Sequence, residues 1–172
     1  MKTLKTFFAL SLFALTLNSC DAIEDAAPDI TVEDDFKTSI AIDTQGENSI
    51  DTNFNIDASG NADFQKYKSK IKSVDITGFT YEITAVTSGE GSVLNGALTS
   101  DGKTAAISNL TIAVGEGGTI TQAQSDFFNA LAQDLKADGK ASVAVSGSLN
   151  NETGAKFTLL ITPTVKFIFS VL

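Results

Sequence analysis

The chain has 172 residues, with 12 lysines against 21 acids for a net charge of −9, one cysteine, and no arginine, histidine or tryptophan. That inventory excludes a disulfide within the chain, zinc sites built on Cys and His, the histidine base of most neutral-pH hydrolases, and bidentate guanidinium clamps. It also argues against nucleic acid as a partner, because phosphates call for clustered Lys and Arg.

In chain order, Lys2 and Lys5 come first, and an apolar run from Phe7 to Leu17 follows. The run is too short to span a bilayer as a helix. Leu17-Asn18-Ser19-Cys20 comes next, with a small residue directly ahead of the cysteine. This stretch resembles the lipobox of bacterial lipoproteins. The resemblance implies that residues 1–19 are a lipoprotein signal peptide and that the Cys20 thiol carries lipid such as palmitate. The mature chain then starts at Cys20 with ten lysines against 21 acids, a net charge of −11.

Residues 20–35 read as an acidic tether ahead of a domain over 36–172, because Asp21, Glu24, Asp25 and Asp29 stand among small residues. Acids just after the lipidated cysteine resemble the surface-export signal of Bacteroidota lipoproteins. In enterobacterial lipoproteins, Asp directly after the cysteine resembles an inner-membrane retention signal. The resulting expectation is export and lipid anchoring at the cell envelope, at the outer membrane or cell surface.

Alternation dominates the rest. Phe36, Ile40 and Ile42 share one parity, as do Ile50, Phe54 and Ile56, and the two runs read as strands of a hairpin turning near Gln45-Gly46. The spacing of Phe64, Tyr67 and Ile71 predicts a short helical connection over about 62–70 that begins near Asn61. Val74 and Ile76 are even, whereas Phe79, Tyr81 and Ile83 are odd, so one strand from about 72 to 86 carries a bulge at Gly78. Ser88 to Gly91 is a turn. Strands over roughly 92–99 and 104–114 flank an Asp101-Gly102 hairpin turn, with Leu110, Ile112 and Val114 facing one way. Gly115 to Gly118 reads as a loop.

An amphipathic helix over about 121–137 has Thr121 as N-cap, Gln124 as its capping-box partner, Phe127, Phe128, Leu131 and Leu135 as apolar stripe, and Gly139 as stop. Val143, Val145 and Leu149 alternate into a turn at 150–154. Odd positions from Phe157 to Val171 then form one oily face, in which Pro163 marks an edge position or a bend. About seven or eight strands in short antiparallel connections predict an all-β fold, a two-sheet antiparallel β-sandwich of immunoglobulin-like type.

Few residues gather into chemistry. Asp51, Asn53, Asn55 and Asp57 would line one face of a strand, and oxygen ligands suit calcium. Yet the EF-hand pattern fails, since Ala62 stands at its twelfth position, and the row reads as the wet side of a strand. No metal and no cofactor is expected. Lys66, Lys68, Lys70 and Lys72 suit an anionic glycan or lipid headgroup, or equally the solvated side of a connection. Ser69-Lys70-Ile71-Lys72 matches the Ser-x-x-Lys of penicillin-recognising enzymes, but Lys103-Thr104-Ala105 departs from their Lys-Thr-Gly, and the chain is too short for that fold. No catalytic residue is assigned, and the expectation is a chain that is not an enzyme.

The segment Tyr67 to Ile76, continuing into Phe79 to Ile83, resembles small β-sandwich lipoproteins of Bacteroidota. No functional residue carries over. The sequence reading is a membrane-anchored envelope lipoprotein acting as a non-enzymatic structural or interaction module, with an envelope protein as possible partner. A small-ligand or glycan-binding lipoprotein is the alternative, and a hydrolase using paired carboxylates comes third.

Overall fold

Period-two alternation favours strands, and strands are what the chain forms. A computed structural model describes residues 28–170; the leader, Cys20, residues 21–27 of the expected tether, and Val171 lie outside the described residues. The strands are β1 (Ile30–Asp35), β2 (Thr38–Asp43), β3 (Ser49–Asp57), β4 (Ile71–Ser88), β5 (Val93–Ser100), β6 (Lys103–Thr111), β7 (Gly117–Thr119), β8 (Lys140–Leu149) and β9 (Lys156–Phe169). Helix α1 (Ala62–Tyr67) links β3 to β4, and helix α2 (Ser125–Asp138) links β7 to β8.

Sheet A has the order β1/β2–β9–β4–β7, with β1 and β2 pairing one after the other along the same side of β9. Sheet B has the order β3–β8–β5–β6. Every pairing is antiparallel, as the alternation predicts. With β1 and β2 taken as one interrupted strand, each sheet has four strands. Only the β5–β6 turn, at Asp101-Gly102, joins neighbours within a sheet; the other connections pass to the opposite sheet. This order is that of a jelly roll. The connectivity therefore differs from the immunoglobulin-like type, in which several sequence-adjacent strands pair as hairpins.

The sandwich begins at Ile30 rather than Phe36. Residues 30–35 of the expected tether pair with Thr164–Phe169 as part of the outer strand of sheet A. Only Ile30 and Val32 supply large apolar side chains there, so composition alone resembles a spacer. The expected β2–β3 hairpin does not form either. Gln45 and Gly46 do turn the chain, with φ of 52° and 87°, but the turn carries it from sheet A to sheet B. Alternation states which face is buried and not which strand lies alongside.

Several local expectations hold. β4 is one long strand whose register shifts between Ile76 and Gly78, so Ile76 and Phe79 both point into the core. Asn61 caps α1 by accepting from the Phe64 N–H at 2.8 Å. Gly139 ends α2 in the left-handed region at φ 72°, where a Cβ would lie 2.6 Å from the Phe64 ring.

Others do not hold. Leu110 and Ile112 are buried, but Val114 lies past the end of β6 and is 66% exposed. The Gly115–Gly118 loop contributes β7, which pairs with Thr80–Glu82; a Cβ at Gly117 would stand 2.2 Å from the Tyr81 carbonyl oxygen, so only glycine fits this approach. Thr121 forms no side-chain cap and no capping box. A short 3-10 turn over Gln122–Gln124 intervenes, α2 starts at Ser125, and Gln124 Oε1 is buried with no hydrogen-bond partner.

The core is one cluster between the sheets, closed at one end by α2. Phe127, Phe128, Leu131 and Leu135 of α2 are buried in it. Phe79 meets Phe127 at 5.7 Å and Phe128 at 6.4 Å. Phe167 packs against Phe36, Phe64 and Phe169 at 6.1, 5.3 and 5.9 Å. These groups all lie within residues 30–169, so a chain lacking residues 1–19 keeps the whole cluster.

Pro163 is buried in β9, an inner strand, which corrects the expectation of an edge position. Its carbonyl accepts from the Phe36 N–H at 3.0 Å, in the gap between β1 and β2. The missing N–H therefore falls where the outer strand is already broken, and no ladder bond is lost.

The odd-numbered face of β9 is buried from Phe157 to Phe169. Truncation of Phe167 to alanine is expected to cost about 3–5 kcal/mol in denaturant unfolding. Lys166→Ala, on the outer face opposite Glu33 and Asp75, is expected to cost well under about 1 kcal/mol.

Candidate functional site

The register of sheet A brings Asp43, Ser88 and Lys156 to the same end. The segments that follow them, 44–48, 89–92 and 150–155, meet there as a cluster of loops. The buried Thr44 anchors the cluster: its N–H donates to the Ala155 carbonyl at 3.1 Å, and its Oγ1 accepts from the Ala155 N–H at 2.9 Å. Asn150 makes a reciprocal pair with Val93, its N–H donating at 3.0 Å and its Oδ1 accepting at 2.8 Å. Asn151 donates to Ser92 Oγ at 2.5 Å and to the Gly154 carbonyl at 3.2 Å. Side chains and backbone together tie the three loops to one another, although Asn151 Oδ1 is buried without a hydrogen-bond partner. From the sequence, residues 150–154 read only as a turn and none of these residues as part of a site; short runs of Ser, Thr and Asn look the same in any turn.

Beside the cluster runs an open cleft of roughly 390 Å³ between β2 and β3, lined by Asp43, Glu47, Asp51 and Thr52 among others. Lys156, 2.9 Å from Asp43, and the Gln45 N–H hold the Asp43 carboxyl below the ordinary carboxylate range. An acid pulled down in this way stays ionised and cannot lend a proton near neutrality.

The row Asp51, Asn53, Asn55 and Asp57 lies along the exposed side of β3, as expected. An extended strand spaces successive members about 7 Å apart, too far to converge on one ion. Among the described residues no three Asp, Glu, His or Cys side chains stand as a metal-binding group. Asp57 is engaged locally instead. It accepts from the Ser59 N–H at 2.8 Å and sits 3.0 Å from Lys140 Nζ, and Ser59 and Lys140 pull its pKa down to about 2.

The lysine row sits on α1, the 3-10 turn after it and the start of β4, where Lys66, Lys68, Lys70 and Lys72 are all exposed. Lys66 Nζ lies 4.7 Å from the Tyr67 ring centroid. Lys72 pairs with Asp29 at 2.8 Å, which engages the lysine of the Ser69–Lys72 tetrapeptide with a carboxylate. Folding adds a fifth member: Lys136, near the end of α2, donates to the Lys72 carbonyl at 2.8 Å. An open cleft of roughly 460 Å³ runs between α1 and the end of α2, lined by Phe64, Lys68, Ile71, Lys136 and Asp138 among others.

Two outcomes follow from this geometry. Because the folded pKa of Asp57 lies below the ordinary carboxylate value, its contribution to stability is complete above about pH 4 and is lost as the pH falls through about 2. Asp57→Asn is expected to flatten the fall in the urea midpoint between pH 4 and pH 2; an unchanged slope would show the carboxylate is not linked to folding. Millimolar calcium is expected to move the melting temperature by less than about 1 °C. A rise of several degrees that Asp51→Ala abolishes would establish a site on β3.

No family profile matches the chain, and no curated protein sequence does. Among solved structures, the chain is similar to one from Desmodium yellow mottle tymovirus, at 11% identity over 85% of each chain with a TM-score of 0.40. It is also similar to the infectious bursal disease virus VP2 subviral particle, at 14% identity with a TM-score of 0.28, over 84% of this chain and 36% of that one.

Proposed function

We propose that the chain is an exported lipoprotein, held at the cell envelope by lipid on Cys20, whose sandwich acts as a non-enzymatic interaction module. The observation that carries the anchored part is the leader: Lys2 and Lys5, the apolar run Phe7–Leu17, and Leu17-Asn18-Ser19-Cys20. The fold is compatible with such a tether. β1 starts at Ile30, ten residues after Cys20, and it starts at one end of sheet A beside Ile71 and Phe169. The braced loop cluster stands at the other end of that sheet, around Lys156. An anchor at the first end presents the second end outward, and rigid loops on a sandwich are a usual place for partner contacts.

The acidic cleft beside those loops supports the second reading, a small-ligand site. It is open and lined with polar groups, and lacks the apolar enclosure of most small-molecule pockets. The depressed pKa values of Asp43 and Asp57 run opposite to what a carboxylate general acid needs, so neither of these two acids suits that role in the hydrolase reading.

The protein isolated from its own cells is expected to begin at Cys20, to carry lipid and to sediment with membranes. Cys20→Ala is expected to shift it to a soluble or unprocessed form. An intact mass equal to the unmodified chain from Met1 would refute the anchor. More than one acyl chain is expected, since a single one binds a bilayer only marginally.

A further inference from the structure

The five lysines Lys66, Lys68, Lys70, Lys72 and Lys136 surround the point where the chain enters the sandwich. Three contacts fix that placement. Ile30, Phe169 and Ile71 stand side by side in the ladder. Asp29, one residue ahead of β1, is paired with Lys72. Tyr67, next to Lys66 and Lys68, packs on Phe169 at 5.5 Å. The lysines come from two segments more than sixty residues apart in sequence, and the Lys136–Lys72 hydrogen bond joins them.

From this we infer that the lysine corner docks on the anionic phospholipid headgroups of the membrane that holds the anchor. The inference rests on the anchored reading above. The nine residue-to-residue steps from Cys20 to Asp29 can span at most about 32 Å, so lipid on Cys20 keeps this corner within reach of the headgroups. A chain with a net charge of −11 is repelled by an anionic surface over most orientations. On its own elements the corner sets five lysines against Asp29, Asp63 and Asp138, with Asp29 paired to Lys72, while Asp21, Glu24 and Asp25 belong to the segment ahead of it.

The cleft between α1 and the end of α2 adds a seat. Lys68 and Lys136 line it together with Phe64, Ile71 and Asp138, so two cations outnumber one carboxylate where a phosphate would sit. Lysine suits this role, because its ammonium is a point charge on a flexible stem and needs no fixed geometry.

Two arms test the inference. In the first, the lipidated protein is reconstituted into phosphatidylglycerol/phosphatidylethanolamine vesicles, into phosphatidylcholine vesicles, and into detergent. Surface amines are then labelled and read by mass spectrometry. Lys66, Lys68 and Lys136 should be protected in the anionic vesicles alone, while Lys103 and Lys156 label equally in all three. Protection already complete in detergent would overturn the inference and assign the lysines to acids of the chain itself.

The second arm uses residues 20–172 with Cys20→Ser, which keep the whole core and carry no lipid. This chain should co-sediment with the anionic vesicles at low salt and be released by 0.5 M salt. The triple variant Lys66→Glu, Lys68→Glu, Lys136→Glu should bind roughly tenfold less or weaker still, with an unchanged melting temperature as the control for folding. Equal binding by parent and variant, or retention on heparin without retention on vesicles, would overturn the inference. The two readings fail separately. A chain without lipid on Cys20 removes the anchor but leaves the second arm to be read, and a lipidated chain with unprotected lysines keeps the anchor and removes the docking.

Discussion

The antiparallel pairing of β9 with β4 is the constraint on which the rest of this structure depends. β9 runs through the middle of sheet A, with β4 along one side and β1 and β2 in turn along the other. Its inward face is apolar without a break from Phe157 to Phe169. Each large side chain buried there contributes about 1.5–3 kcal/mol before the entropy of ordering is set against it. The bulges of β4 keep the two strands in step: at Gly78 the register slips by one residue, and Ile76 and Phe79 both stay on the core side. Even the proline in β9 is placed where the neighbouring strand breaks, so the ladder survives it.

The second sheet and α2 close what β9 begins. Sheet B faces the same core with Phe54, Ile56, Leu94, Leu98, Val143 and Val145. Helix α2 lies across one end, where Phe127 and Phe128 reach Phe79 of sheet A. With one cysteine, Cys20, ahead of the sandwich and no histidine, the domain has no disulfide or Cys/His zinc staple to lean on. A single continuous apolar cluster takes that role. The jelly-roll order means that most pairings join residues far apart in sequence, so the sandwich has to close cooperatively.

Polar groups divide along the same axis. At one end of sheet A, Thr44, Ser92, Asn150 and Asn151 knit three loops together. At the other, lysines from α1, β4 and α2 gather where the chain enters. On sheet B the outer face of β3 carries Asp51, Asn53 and Asn55 in the open, and the ion pairs Asp57 with Lys140 on sheet B and Asp43 with Lys156 on sheet A are exposed. Exposed pairs of this kind contribute little to stability, and they hold their carboxylates ionised.

Sequence alone determined the faces of the strands, because side-chain period is a local property: the odd parity of β9, the slip at Gly78, the helix start near Asn61 and the stop at Gly139 were all legible. It also determined which chemistries the composition leaves out, and it supplied the lipobox resemblance. It did not determine neighbours. The Gln45-Gly46 turn looks the same whether it closes a hairpin or carries the chain to the other sheet. Residues 30–35 look like a spacer until β9 offers them a ladder, and Gly117-Gly118 look like a loop until Tyr81 comes within reach. Thr121 has the spacing and the extended backbone of a cap, but a 3-10 turn follows it and its side chain makes no capping bond. Only the tertiary structure decided the sheet order, the position of α2 and the meeting of Lys136 with the lysines of α1 and β4. Each of these depends on pairing across long stretches of chain, which closing the core selects and which no window of neighbouring residues encodes.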